Sequence, residues 1–230
     1  ESDTTWSTGY VAENIGYGEG TGTGQAIAIT GYVKFSEILD GGAGSDSLIL
    51  TAGNDAFFYH DAFTGIHDQV TTTTDYQSRS TAPRVTEIET IDAGQGNDLI
   101  DLTSPDFSLA SVDMTLLGGD GNDVLWASGG NDRVEGGDGD DVLFGGDGDD
   151  ILVGGQGADE FQFTRSSGND EISDLDLAED SITLFAASGD PDSWIMDGSI
   201  LVWGDVNITL AYYSDSNLND LINSLVFEVI

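Results

Sequence analysis

Apolar residues in the middle of this chain recur at a period of nine. Val124-Leu125, Val134, Val142-Leu143, Ile151-Leu152 and Phe161 hold matching places, each bracketed by glycine, aspartate and asparagine. A short strand such as Val142-Leu143-Phe144, burying Leu143 and followed by a glycine-rich reversal, accounts for the pattern. The polar positions are equally regular. Gly118-Gly119-Asp120-Gly121-Asn122-Asp123, Gly136-Gly137-Asp138-Gly139-Asp140-Asp141, Gly145-Gly146-Asp147-Gly148-Asp149-Asp150 and Gly154-Gly155-Gln156-Gly157-Ala158-Asp159 share one register, and Gly129-Gly130-Asn131-Asp132 is a degraded copy. Asp123, Asp132, Asp141, Asp150 and Asp159 therefore fall nine residues apart.

Isolated copies stand upstream, at Asp40–Ile49, Ala52–Phe57 and Ile91–Ile100. The intervals from Asp55 to Asp98 and from Asp98 to Asp123, 43 and 25 residues, are not multiples of nine. One roll over 40–163, interrupted by excursions at about 59–84 and 103–113, fits these spacings. The alternating Val85–Ile91 and the stretch Met114–Leu117 read as strands that rejoin it. Residues 1–39 read as an N-terminal β cap with strands near 25–30 and 32–35 around the glycine-rich loop 18–24. Residues 164–230 read as a β-rich C-terminal cap, with strands near 181–185, 199–203 and 206–210. A short helix over 216–225, with Asn217 near its N-cap, is expected there, since solenoids need ends that hide the last coil. All 230 residues then form a single domain.

The residue types at each place carry the chemistry. Two nine-residue units complete one coil, so residues 18 apart stack: Asp123, Asp141 and Asp159 along one edge, Asp132 and Asp150 along the other. Coils lie about 4.8 Å apart. Two bare carboxylates at that spacing repel by about 3–4 kcal/mol at an effective dielectric near 20. Calcium reverses the sign, because it gathers six to eight carboxylate and carbonyl oxygens in a flexible geometry. The pattern predicts an all-β, calcium-bound parallel β-roll holding several Ca2+ ions and largely unfolded without them. The predicted ligands are the carboxylates of Asp46, Asp55, Asp98, Asp123, Asp132, Asp141, Asp150 and Asp159, with the backbone of Gly119, Gly121, Gly137, Gly139, Gly146 and Gly148 beside them. Asp120, Asp138, Asp140, Asp147 and Asp149, at the third and fifth places, read as presenting their carbonyls or facing solvent. Trp126, Trp194 and Trp203 read as core or cap residues, although Trp126 stands at the surface-facing ninth place, which leaves room for exposure.

Composition sharpens this picture. Forty-three acidic residues against 5 Lys+Arg give a net charge of −38. Such a field repels nucleic acid and anionic membranes and attracts metal cations. No run approaches the roughly 18 apolar residues of a membrane span. The absence of cysteine leaves calcium to replace the cross-links common in extracellular modules. Glu1-Ser2-Asp3-Thr4 lacks the basic and apolar stretches of a cleavable secretory signal, so export by another route, or excision from a longer chain, is expected.

The Gly-Gly-x-Gly-x-Asp arrays resemble the RTX family, whose members leave the cell by type I secretion. The runs Leu48–Asp61, Val85–Ser104 and Asp123–Ala127 resemble, more narrowly, the peptide-binding domain of giant bacterial RTX adhesins. That resemblance implies a secreted, cell-surface module that captures short peptides in a calcium-dependent way, often the free C-terminus of a target protein, in cell adhesion or biofilm formation. It would be a monomeric part of a larger chain. Of the seven basic or histidine residues, His60, His67, Arg79 and Arg84 lie in the first excursion. Clustering scarce cations on one loop suits a carboxylate, which arginine can hold in bidentate fashion. The candidate ligand-binding residues are His60, Asp61, Asp75, Tyr76, Arg79 and Arg84. No His-Glu-x-x-His or Gly-x-Ser-x-Gly motif is present, and the repeat explains the paired aspartates, so the chain is not expected to be an enzyme. The alternative function is a C-terminal secretion and folding appendage of a type I-exported enzyme or toxin.

Overall fold

Short extended segments followed by glycine turns can bury one side chain per segment only by stacking on copies of themselves. The structure, a computed structural model, obeys that constraint. It describes residues 5–7, 15–17, 28–29, 39–40, 43–50, 52–58, 70–72, 85–103, 112–186, 194–211, 213, 221–222 and 225–229. The fold is a parallel β-solenoid. A 10-stranded sheet and a 7-stranded sheet hold most of its strands.

The repeats set the register. In the larger sheet Thr115–Asp120, Arg133–Asp138 and Ile151–Gln156 pair in parallel, with Leu116 opposite Val134 and Val134 opposite Leu152. In the smaller, Val124–Trp126, Val142–Phe144 and Glu160–Phe163 pair, with Leu125 opposite Leu143 and Leu143 opposite Phe161. Both ladders cross the irregular intervals without slipping. Leu48 faces Ile91 and Ile91 faces Leu116, while Phe57 faces Ile100 and Ile100 faces Leu125. These residues are fully buried and form one continuous core.

Residues 164–230, which the sequence assigns to a terminal cap, extend both sheets. Asn169–Ile172 and Val206–Leu210 join the larger, and Ser181–Ala186 and Leu225–Val229 join the smaller, all in parallel. Only then does an antiparallel meander of Ile195–Asp197, Ile200–Trp203 and Val206–Leu210 end the larger sheet. Of the expected helix, Leu221 and Ile222 are helical and Leu225 already belongs to a strand; its other residues lie outside the described residues. The N-terminal strands near 25–30 and 32–35 lie outside them too, apart from Ala28–Ile29.

Trp126 is fully buried despite its ninth place, as are Leu99 and Val124 on the same outward face of the smaller sheet. The outward face of that sheet is covered at these strands, although Val142 and Glu160 on the same face are only half-buried and Val226 is 41% exposed. Trp203 is fully buried beneath the Arg165 guanidinium, which lies 3.9 Å from the ring centroid, and Trp194 is half-buried.

Leu143→Ala should cost about 2–5 kcal/mol in calcium, because the cavity would open between Leu125 and Phe161. Ile151→Ala, at a side chain 39% exposed, should cost less than about 1 kcal/mol. Chemical denaturation followed by circular dichroism compares the two.

Candidate metal centre

The sixth residue of each repeat ends a turn, just before the strand, so its side chain lies over the stacking edge. On one edge a single hydrogen bond repeats from coil to coil. The backbone N–H of Asp55 donates to Asp98 Oδ1 at 2.6 Å, Asp98 to Asp123 Oδ1 at 2.7 Å, and Asp123 to Asp141 Oδ1 at 2.7 Å. Asp141 then donates to Asp159 Oδ1 at 2.9 Å. The opposite edge follows the same rule, with the Asp132 N–H donating to Asp150 Oδ1 at 2.8 Å. Asp46 belongs to this second edge, where its N–H donates to Glu89 Oε2 at 2.8 Å. All eight aspartates expected as ligands are at least 98% buried.

One carboxylate oxygen of Asp98, Asp123, Asp132, Asp141, Asp150 and Asp159 is thus committed to the backbone. The other is stranded: Oδ2 of Asp98, Asp123, Asp132, Asp141 and Asp150 is buried and has no hydrogen-bond partner among the described residues. In the turns that end at Asp123, Asp141, Asp150 and Asp159 a first-place glycine makes room beside the carboxylate. A Cβ at Gly118 would sit 2.4 Å from both Asp123 Oδ2 and Gly136 O, and one at Gly136 would sit 2.3 Å from Asp141 Oδ2 and 2.6 Å from Gly154 O. Carboxylate and carbonyl oxygens converge there. Among the described residues no three His, Cys, Asp or Glu side chains gather as a metal cluster, so a cation must complete its shell from backbone carbonyls. That donor set, hard oxygens in number and no nitrogen or sulfur, fits calcium.

The second and fourth glycines have a different task. At Gly137, φ is +120° and a Cβ would lie 2.1 Å from Gly119 O in the adjacent coil. Carbonyls of Gly119, Gly121, Gly137, Gly139 and Gly148 each lie beside the α-carbon of the stacked glycine, and Gly146 stacks in the same way on Ser128 O. The carbonyls found beside the stranded carboxylate oxygens are those of Gly136 and Gly154, first-place glycines outside the expected set. Fifth-place side chains form their own ladder: Asn122 Oδ1 accepts from the Asp140 N–H at 3.1 Å and Asp140 Oδ1 from Ala158 at 3.0 Å. Third-place Asp120 and Asp138 are exposed and accept from Gln95 and Gln156 side chains.

Sequence reasoning missed how the ladders are modified at irregular coils. Glu89 and Met114 occupy aspartate places on the second edge, where the Met114 N–H donates to Asp132 Oδ1 at 2.8 Å. A thioether there offers no hard oxygen. Beyond the last repeat Asp170 and Asp180 continue the two ladders. Gly168-Asn169-Asp170 preserves the glycine-x-aspartate of the repeat and was the available signal; Asp180 has none. Of the candidate ligand-binding residues, His60, Asp61, Asp75, Tyr76, Arg79 and Arg84 lie outside the described residues.

Without a cation these carboxyls resist ionisation. Burial pushes Asp98 up to about 8, with Asp123 and Asp55 adding like charge, and Asp141 up to about 8, with Asp123, Asp159 and Asp140 adding theirs. Burial likewise lifts Asp150 to about 7 and Asp123, Asp132 and Asp159 to about 6. Because these values exceed the ordinary 3.8, protonation stabilises the metal-free fold. That contribution is complete below the unfolded value and is lost as pH climbs through about 6 to about 8. Calcium needs the ionised forms, so its affinity runs the other way. In EDTA, β structure followed by circular dichroism should therefore increase as pH is lowered from 8 to 5; in saturating calcium it should be highest at pH 8. A chelated chain that is fully folded at pH 8 and insensitive to acid would contradict both.

One comparison with known proteins, to a family model, agrees with this geometry. A family model described as the RTX calcium-binding nonapeptide repeat matches four stretches, residues 35–60, 87–102, 115–143 and 126–161. Repeats of this kind occur in proteins secreted by type I systems. No curated protein matches the chain. Among solved structures, the extracellular lipase LipA from Serratia marcescens is 18% identical with a TM-score of 0.34; the match covers 83% of this chain and 37% of that one. This chain carries RTX calcium-binding nonapeptide repeats, folded as a parallel β-roll.

Proposed function

We propose that this chain is the calcium-dependent ligand-binding module of a secreted cell-surface RTX adhesin, taking short peptides that end in a free carboxylate. Its role is recognition and not catalysis. The observation that carries the reading is the pair of excursions. Ser47 pairs with Thr90 and Thr90 with Thr115 as neighbouring strands, although 43 and 25 residues separate them in sequence. The roll accepts long insertions without losing register, and inserted loops on a rigid repeat are the usual seat of binding. A stiffening or folding appendage has no need of them.

The composition of the first insertion suggests the ligand. His60, His67, Arg79 and Arg84 concentrate there in a chain of net charge −38. An anionic terminus would find its few complementary charges on that loop, and calcium would hold the scaffold from which the loop springs. On the alternative reading, a C-terminal secretion and folding appendage, this clustering serves no purpose.

Peptide libraries with free and with amidated C-termini, presented in millimolar calcium and in EDTA, separate the two. Binding is expected for free termini in calcium only, weakened at least about tenfold in an Arg79→Ala, Arg84→Ala double variant. If no peptide binds in calcium, the appendage reading takes its place.

A further inference from the structure

The acidic ladders run past the last nonapeptide and end differently on the two edges. On the second edge the turn before Asn169–Ile172 keeps the fourth-place glycine and sixth-place aspartate of a repeat, although Thr164-Arg165-Ser166-Ser167 replaces its earlier part and its spacing is 20 residues instead of 18. Gly168, at φ +91°, stacks on Gly148, with its missing Cβ 1.9 Å from Gly148 O. The Asp150 N–H donates to Asp170 Oδ1 at 3.0 Å, as the Asp132 N–H does to Asp150 Oδ1 at 2.8 Å. The Glu171 N–H donates to Asp150 O at 2.8 Å, as the Ile151 N–H does to Asp132 O at 2.9 Å. Asp170 is 97% buried, and its Oδ2, like that of Asp150, has no partner among the described residues.

The first edge closes otherwise. Asp180 Oδ1 accepts from the Asp159 N–H at 2.9 Å, continuing the ladder. Its Oδ2, however, accepts from the Asp176 N–H at 2.7 Å, across a tight turn in which the Asp180 N–H donates back to Asp176 O at 2.8 Å. Both oxygens of Asp180 are satisfied by backbone amides. A buried carboxylate with two amide donors is stable without a cation; one with a stranded oxygen is not.

We propose that Asp170 and Asp150 hold a further divalent cation one coil beyond the nonapeptide repeats, and that the opposite edge ends at Asp180 without a metal. The stranded carboxylate oxygens select a hard cation, calcium above all. Asp170 lies outside the residues matched by the repeat model, which stop at 161, and Asp150 is the last sixth-place aspartate of its edge within them. It rests on the calcium reading of the repeats and is independent of the peptide ligand.

Native mass spectrometry of the full chain in calcium counts the ions. Asp170→Asn keeps an oxygen for the Asp150 N–H and removes the charge, so it should lose one ion relative to the unaltered chain; Asp180→Asn should keep the full count. Asp141→Asn, inside the repeats, should lose at least one. An undiminished count in Asp170→Asn, with a loss in Asp141→Asn, overturns this proposal alone; no loss in either overturns the calcium reading as well. Should Asp170→Asn fail to fold, anomalous diffraction from crystals of the unaltered calcium-loaded chain decides. A peak beside Asp170 Oδ2 and none beside Asp180 is expected, and a missing peak at Asp170 refutes the site.

Discussion

Asp98, Asp123, Asp132, Asp141 and Asp150 each commit one oxygen to the backbone of the coil before and bury the other with no hydrogen-bond partner among the described residues. The two halves of one carboxylate therefore pull in opposite directions. The bonded oxygen fixes the register between coils, because only a residue in the same place of the next coil can reach that amide. The stranded oxygen makes the same stacking unfavourable whenever the group is charged. A proton or a cation resolves the conflict, and at neutral pH outside a cell calcium is the available one. Stability in this roll is inseparable from its counter-ion.

The glycines follow from the same constraint. At Gly118 and Gly136 the carboxylate curls back against its own turn into the space a Cβ would fill, whereas Ala93 and Ala127 hold the same place before Asp98 and Asp132. Coils can approach closely enough for amide and carboxylate to bond only where the stacked turn positions are also glycine, as at Gly137 over Gly119. Glycine's conformational freedom costs entropy at every turn. The roll recovers that cost from the aliphatic column and from bound ions, which is why aspartate, glycine and an apolar residue must recur together.

This coupling explains what was legible in the chain. A ladder needs the same side chain at the same place in successive coils, so periodicity alone located Asp123, Asp132, Asp141, Asp150 and Asp159, the last four copies of the strand and the core residues beneath them. Asp46, Asp55 and Asp98 were legible from isolated copies of the phrase, and their partners across the excursions needed only the assumption that register survives. Glu89 and Met114 stand 43 residues after Asp46 and 18 before Asp132, so spacing placed them and only their departure from aspartate concealed them, whereas Asp180 was hidden because hydrogen bonding by a backbone amide leaves no trace in sequence. Trp126 misled for another reason: alternation marks the outward face of a strand but says nothing of what covers that face. The continuation of both sheets past Phe163 was obscured because Ile172, Ile182 and Leu210 keep the apolar column without keeping the interval of nine.

The contrast between regular and irregular coils bears on how such a roll divides its labour. From Thr115 to Phe163 every turn is near its minimum length, so no backbone is left over for anything but stacking and ion binding. Long intervals fall where a strand ends, after Phe58, after Thr103 and again in the C-terminal coils, where Asn169 pairs with Asn207 and Ile182 with Leu225, and the ladder resumes in parallel register after each. Met114 sits at the return from the second of these and replaces a carboxylate with a buried thioether on the second edge, while Asp98 and Asp123 preserve the first edge past the same point. One continuous column of carboxylates is therefore enough to carry register across an interruption. The segments between such strands can therefore differ in length and chemistry without disturbing the register of the scaffold.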